Sequence, residues 1–110
     1  MTSATDTLQF VSVAKESEVA PGAVIKIDVA GLQLAVFNVD GTFYATDEIC
    51  THAYASLAEG YVDGDTVECP LHGACFSIKT GAALSAPATE ALRTYPIRIA
   101  NGEILVGVPA

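Results

Sequence analysis

The sequence is poor in basic residues and has no long apolar run. Five lysines and arginines stand against 13 aspartates and glutamates in 110 residues, which gives a formal net charge of −8. A field of that sign repels nucleic acids and anionic membrane surfaces, so we expect neither as a partner. The longest apolar stretches run to four or five residues, too short for a transmembrane helix of about 20 residues.

The N-terminal region also lacks the features of a secretory signal. The first basic residue is Lys15 and no apolar segment of signal-peptide length precedes it, so we expect a soluble, cytoplasmic protein. Cysteine is scarce and its number is odd, with Cys50, Cys69 and Cys75 as the complete set. In an intracellular chain this count favours metal or redox chemistry over a disulfide framework.

Helical patterns are almost absent, and short alternating segments separated by turn residues predict an all-β fold. Asp40-Gly41, Asp63-Gly64 and Asn101-Gly102 are Asx-Gly pairs that can supply two residues of positive φ to a tight hairpin. The segment 24–29 alternates, with Ile25, Ile27 and Val29 on one face of a half-buried strand. Similar half-buried strands are predicted over 32–39, 42–46, 62, 66–68, 75–78, 94–100 and 103–108.

These segments predict a small β-sandwich or barrel of roughly eight to ten strands. Pro96 predicts an edge or a bulge within the segment 94–100. Single helical turns are expected at 15–19 and 89–92. The region between about Asp47 and Pro87 is the least regular, and no internal repeat or linker divides the chain.

The two histidines of the chain each lie beside a cysteine. Cys50-Thr51-His52 is followed after sixteen residues by Cys69-Pro70-Leu71-His72. Two such pairs fit either a tetrahedral zinc site or a 2Fe-2S cluster in which two cysteines hold one iron and two histidines the other. Zinc fingers usually pair Cys with Cys and His with His. One cysteine and one histidine on each loop therefore favours the iron–sulfur alternative, with Cys50, His52, Cys69 and His72 as candidate ligands.

With these motifs the sequence resembles the Rieske-type iron–sulfur proteins, in particular the ferredoxins of bacterial aromatic-ring-hydroxylating dioxygenase systems. The segments 44–47, 57–60 and 94–97 carry the resemblance beyond the two motifs. It implies a Rieske-like β-sandwich base, about 1–46 and 88–110, with an inserted cluster-binding lobe, about 47–87. The thiolates of Cys50 and Cys69 would bind the inner iron, and His52 and His72 the outer iron.

The resemblance further implies an electron carrier that performs no catalysis alone. It would act as a monomer and pass single electrons from an NAD(P)H-dependent flavoprotein reductase to a terminal oxygenase. The loop with Ser85-Ala86-Pro87 resembles the proline loop that covers the cluster. The alternatives are a small Rieske-like subunit of an assimilatory nitrite reductase and a zinc-stabilised interaction module.

The sequence departs from the respiratory-chain branch of the same family at several positions. Ala55 and Leu71 stand where that branch has a disulfide, so none is expected here. Ala74 and Phe76 stand where that branch has a serine and a tyrosine that donate hydrogen bonds. Fewer donors stabilise the reduced cluster less, which predicts a reduction potential near the low end of the Rieske range, ~−150 mV. Cys75 is expected to be an ordinary thiol.

Acidic residues are concentrated between Lys26 and Lys79. They form either a surface that steers the protein toward basic partners or a solubilising surface. A second candidate contact surface is an apolar ring around the histidines, for which packing is the favoured role of Leu71. The ring residues are Ala53, Tyr54, Leu71 and Pro87, and the acidic residues are Asp28, Asp40, Asp47, Glu48, Glu59, Asp63, Asp65 and Glu68.

Overall fold

A computed structural model of the chain describes residues 8–50, 55–71, 73–85 and 90–109. Within these ranges the chain forms strands and two single turns of 3-10 helix, at Glu16–Glu18 and Leu57–Glu59. The prediction of an all-β fold is confirmed. The strands are β1 Leu8–Lys15, β2 Val24–Val29, β3 Leu32–Val39, β4 Thr42–Asp47, β5 Tyr61–Asp63, β6 Thr66–Glu68, β7 Cys75–Ser77, β8 Thr94–Tyr95, β9 Ile97–Ala100 and β10 Glu103–Pro109.

The strands form three antiparallel sheets. Two larger sheets, in the orders β1-β10-β9 and β2-β3-β4-β8, are together called the framework below. The third sheet, in the order β5-β6-β7, is called the small sheet. The segment from β4 to β8 runs through the small sheet and both cysteine motifs before the chain returns to pair with β4 at Thr46↔Thr94.

Strand β3 is the central element because both of its faces are buried. Leu34 and Val36 pack in one apolar cluster with Ile104 and Val106 of β10. The alternate residues of β3, with Phe37 at their centre, pack in a second cluster that includes Phe76 of β7. The prediction of a half-buried strand over 32–39 was therefore wrong. Alternation is lost where a strand is covered on both faces.

Three hairpins have two consecutive residues of positive φ, as the right-handed twist of paired strands requires. Asp40-Gly41 and Asn101-Gly102 confirm their predictions. The third pair is Ala30 (φ 52°) and Gly31, which the sequence pattern missed because alanine is not a typical residue there. At the third predicted turn only Gly64 has positive φ, since Asp63 is still paired with Thr66 in the strands.

Other differences from the predictions have local causes. Strand β1 was missed, and it pairs with β10 along its length. Pro96 divides the predicted strand 94–100 into β8 and β9, which are edge strands of different sheets. The edge predicted at Pro96 is thereby confirmed, because its missing N–H cannot pair inside a sheet. The 3-10 turn at Glu16–Glu18 confirms the first predicted turn. The second was wrong as far as the structure describes it, since 90–92 is not helical.

The described parts of the chain contain no helix with the length and hydropathy needed to cross a membrane.

Candidate metal centre

The first cysteine motif begins at the neck of a narrow hairpin loop. The backbone N–H of Cys50 donates to the carbonyl of Ala55 at 2.9 Å. Ile49 and Ser56 form an isolated antiparallel bridge, and the N–H of Leu57 donates to the carbonyl of Glu48 at 2.8 Å. Cys50 therefore lies at the neck of this loop, and the residue is only 4% exposed.

The second cysteine motif has the same construction. The N–H of Cys69 donates to the carbonyl of Ala74 at 2.7 Å, again five residues further along the chain. Gly73, whose φ is +70°, turns the backbone back toward β7. Next to this bond, Glu68, the last residue of β6, pairs with Cys75, the first residue of β7. Two hairpin loops of equal span thus each begin with a cysteine.

The two cysteine side chains lie beside each other in the core between β3 and the small sheet. Burial raises the pKa of the Cys69 thiol to about 11. A hydrogen bond with the Leu71 backbone acts in the opposite direction, while the Cys50 thiol adds to the rise through a hydrogen bond and its charge. No disulfide joins the cysteines. Two adjacent buried thiols fit a metal centre, because a bound cation stabilises thiolates in such surroundings.

The walls of this site are apolar. Ala74 and Phe76, both fully buried, belong to the same cluster as Cys50 and Cys69. Neither side chain can donate a hydrogen bond, so these two positions supply no hydroxyl to the thiols. This is the arrangement that the predicted low potential requires, although the potential itself stays a prediction.

A third segment runs beside the second loop. The N–H of Cys75 donates to Ser85 Oγ at 3.0 Å, and the N–H of Leu84 donates to the carbonyl of Cys75 at 2.8 Å. Ala83 also bridges to Phe76. Residues 83–85 therefore extend the small sheet. Of the predicted proline loop only Ser85 is described, and Ala86 and Pro87 lie outside the described residues.

Several predicted site residues also lie outside the described residues. They are His52, His72, Ala53 and Tyr54, so the histidine assignments stay predictions. Leu71 is described and is 46% exposed. Packing, its favoured role, was therefore wrong, and Leu71 instead presents an apolar side chain at the surface of the second loop.

Two polar residues of the first loop were misjudged or missed. Glu48, grouped with the surface acids, is only 2% exposed, so its assignment to an acidic surface was wrong. Its Oε2 accepts a hydrogen bond from the hydroxyl of Ser56, a residue without a predicted role. The one available signal was the position of Glu48 two residues before Cys50, since residues flanking a hairpin neck alternate between buried and exposed.

Residues 9–96 match the Rieske [2Fe-2S] domain family, and the chain belongs to this family. Its members hold one Rieske-type 2Fe-2S cluster, which the paired cysteine loops fit. The expectation of such a cluster, and the resemblance from which it came, are confirmed.

Two of the relatives are ferredoxins of dioxygenase systems. The chain is 47% identical over 94 residues to the 3-phenylpropionate/cinnamic acid dioxygenase ferredoxin subunit of Escherichia coli K12, covering 84% of this chain and 88% of the relative. It is 39% identical over 100 residues to the ferredoxin component of the naphthalene 1,2-dioxygenase system of Pseudomonas putida, covering 91% and 96%.

Solved structures of similar fold include ferredoxins of the same kind. The ferredoxin of Sphingomonas yanoikuyae B1 superposes with a TM-score of 0.88 at 37% identity, covering 92% of this chain and all of that one. A chain of the oxygenase–ferredoxin complex of carbazole 1,9a-dioxygenase gives 0.84 at 40% identity, covering 88% and 91%. A putative nitrite reductase small subunit from Mycobacterium tuberculosis shares the fold at 24% identity, with a TM-score of 0.84 and coverage of 96% and 99%.

Proposed function

We propose that this chain is the ferredoxin component of an aromatic-ring-hydroxylating dioxygenase system. It accepts single electrons from an NAD(P)H-dependent flavoprotein reductase and delivers them to a terminal oxygenase. The observation that carries the proposal is the pair of adjacent, buried thiols at the necks of two matched loops, in a chain similar to dioxygenase ferredoxins over most of its length. Like those relatives it carries electrons and leaves catalysis to the oxygenase.

Cys50 and Cys69 would hold one iron of the cluster, and His52 and His72 would hold the other. The bound cluster supplies one-electron transfer. The chain contributes the buried, apolar surroundings of the thiols, which keep water from that side of the site. Each cysteine is held in place by the backbone bond at the neck of its loop.

The chain divides by role. Residues of about 1–46 and 88–110 form the base, and residues of about 47–87 form the cluster-binding lobe. The support for this division is that the small sheet and both cysteine loops lie between β4 and β8 in sequence. The protein acts as a monomer in the cytoplasm, where a mobile carrier meets both of its partners.

The cofactor assignment is tested by EPR spectroscopy of the dithionite-reduced protein, with iron and zinc measured in the same sample. We expect two irons per chain and a rhombic signal whose average g lies below the free-electron value. Cys69→Ser is expected to lose the signal, while Cys75→Ser, the matched control, keeps it. One zinc per chain and no signal would establish the zinc-stabilised module instead.

The histidine ligands are tested separately, because their side chains are outside the described residues. His72→Cys should retain a cluster but lose the mixed-ligand spectrum, and His52→Cys should behave alike. An unchanged spectrum would remove that histidine from the site.

The partner assignment is tested by electron delivery. The ferredoxin reductase and oxygenase of a phenylpropionate dioxygenase system are suitable partners, given the similarity to its ferredoxin subunit. We expect NADH-dependent reduction of the cluster and its reoxidation by the oxygenase with substrate and O₂. Both rates should fall as salt increases if the acidic surface steers docking. A rate independent of salt would leave the carboxylates a solubilising role.

A further inference from the structure

Glu48 is the one charged side chain that is fully buried among the residues described in the structure. Burying a carboxylate costs free energy unless the group is hydrogen-bonded, and breaking such a bond is costly because the charge stays buried. Its bond from the Ser56 hydroxyl is therefore a strong local constraint. The bond crosses the neck of the loop that begins at Cys50.

The backbone of Glu48 is bonded in two further directions. Its N–H donates to the carbonyl of Gln33 at 3.0 Å, and its carbonyl accepts the N–H of Leu57 at 2.8 Å. Gln33 lies in β3 of the framework, whereas Leu57 and Ser56 lie on the returning side of the loop. Glu48 thus connects the framework to both sides of the first cysteine loop.

The second cysteine loop has an apolar residue at the position that corresponds to Glu48. Counting back from each cysteine, Glu48 corresponds to Val67, and both side chains are buried. Val67 lies in β6, where regular pairing with β7 holds the neck together. The first neck has one isolated bridge, Ile49↔Ser56, in place of paired strands. A polar link is thus present at the neck that lacks a sheet.

We propose that Glu48 is a positioning residue, whose buried carboxylate locks the neck of the first loop through Ser56 and so holds Cys50 in place for the cluster. This inference rests on the proposed function, since it assigns a role toward the bound cluster. It predicts that the Glu48–Ser56 bond limits how readily the first loop opens and releases iron. An apolar residue of similar size would fill the space but leave the neck unlocked.

The test measures the rate of cluster loss from the holoprotein in the presence of an iron chelator, followed by the visible absorbance. Ser56→Ala removes the donor and Glu48→Leu removes the acceptor. Glu48→Gln keeps an acceptor oxygen and is the conservative variant. Glu59→Gln, an exposed acid in the adjoining 3-10 turn, is the matched control for loss of charge.

We expect cluster loss to be about tenfold faster in Ser56→Ala and Glu48→Leu, largely restored in Glu48→Gln and unchanged in Glu59→Gln. The double variant Glu48→Leu with Ser56→Ala should be no faster than either single variant, because both remove one bond. The unfolding midpoint of apo Glu48→Leu should not fall to the extent that the faster cluster loss would suggest. The reason is that an apolar group replaces a buried charge. This separates positioning from a purely structural role.

Cluster loss at the wild-type rate in both Ser56→Ala and Glu48→Leu would overturn the inference and leave the proposed function intact. If Glu48→Leu fails to fold, Ser56→Ala alone decides, since it removes a single hydroxyl from a half-buried site. Wild-type protein without iron would overturn the proposed function, and the inference with it.

Discussion

The framework and the small sheet are held together in different ways. In the framework, β3 and β4 pair without interruption from Leu34↔Asp47 to Val39↔Thr42. In the small sheet every strand has three residues, and β6 and β7 pair only from Thr66↔Ser77 to Glu68↔Cys75. Short strands gain little from their ladders, so the small sheet depends on its side chains and on the loops it supports.

The metal site lies beside the framework without being part of its sheets. Ala35, Phe37 and Val39 of β3 provide the wall against which the small sheet and both cysteines pack. The opposite face of the same strand completes the framework core through Leu34 and Val36. One strand therefore fixes the position of the site relative to the framework, while the cysteine loops keep their own local bonds.

The largest expected effect comes from removing a core side chain on each side of β3. Phe76→Ala in the small sheet should lower the free energy of unfolding by about 3–5 kcal/mol, and Leu34→Ala in the framework by about 2–5 kcal/mol. Only Phe76→Ala should also reduce the iron content of the folded protein, because Phe76 packs in the cysteine cluster. Denaturant unfolding with iron analysis measures both, and equal iron loss in Leu34→Ala would contradict the division.

A smaller effect is expected where the small sheet approaches the returning chain. Gly81 has a φ of +78°, and a Cβ there would lie 2.3 Å from the carbonyl oxygen of Leu92. Gly31 has nearly the same φ, +79°, but open space around it. Gly31→Ala should cost about 1–2 kcal/mol for the backbone conformation alone, and Gly81→Ala a further ~1–3 kcal/mol for the clash. If denaturant unfolding gave the same loss of stability for Gly81→Ala as for Gly31→Ala, the contact between Gly81 and the Leu92 carbonyl would not be tight.

At the junction of the two regions, Asp47 binds the Tyr95 hydroxyl at 2.7 Å. Burial and this carboxylate raise the pKa of Tyr95 to about 12, from 10.0. The unfolded chain therefore loses the tyrosine proton first, and stability due to this group is lost as the pH rises from about 10 to about 12. Tyr95→Phe should lower the free energy of unfolding by about 1 kcal/mol at neutral pH. The variant should also lose less stability than the wild type as the pH rises from about 10 to about 12.

The control for that variant is Tyr61→Phe, because Tyr61 is 68% exposed and its hydroxyl should add little to stability. Thermal unfolding across the alkaline range measures both variants. The same alkaline loss in Tyr95→Phe as in the wild type would assign the pH dependence to other groups.

The smallest expected effect is a gain in stability from a turn of the framework. Ala30 has a φ of 52° in the turn before Gly31, a conformation that asparagine adopts more readily than alanine. Ala30→Asn should raise the free energy of unfolding by about 0.5–1 kcal/mol without changing the rate of cluster loss. Asn101→Ala, at the equivalent place before Gly102 with a φ of 53°, should cause a loss of similar size. No change in the thermal midpoint of either variant would contradict this account.

The sequence pattern predicted the strands best where an Asx-Gly turn or an alternating segment marks them. Strands β2 and β3 have the predicted bounds, and the turns at Asp40 and Asn101 have the predicted conformation. Prediction failed for β1, whose residues pair with β10 at the far end of the chain. Such a pairing leaves no local signal, because it depends on the final position of the partner strand.

The sequence predicted the candidate ligands of the site but not the residues that hold the first cysteine loop in place. Within each Cys-His motif the cysteine and the histidine lie two or three residues apart in the chain, so a local pattern was enough to find them. The buried position of Glu48 could not be predicted, since an acid in a turn-rich segment is usually exposed. Its bond to Ser56 forms only when the loop neck closes.

The sequence by itself determined the family, the cofactor and the candidate ligands of this protein. Those conclusions rest on residue types at fixed spacings, and spacing along a chain is a local property. Only the tertiary structure decided that β3 is covered on both faces, that Cys50 and Cys69 lie together and that Glu48 is buried. Each of these depends on which distant segments pack against one another, and that is settled by burial and pairing over the whole chain.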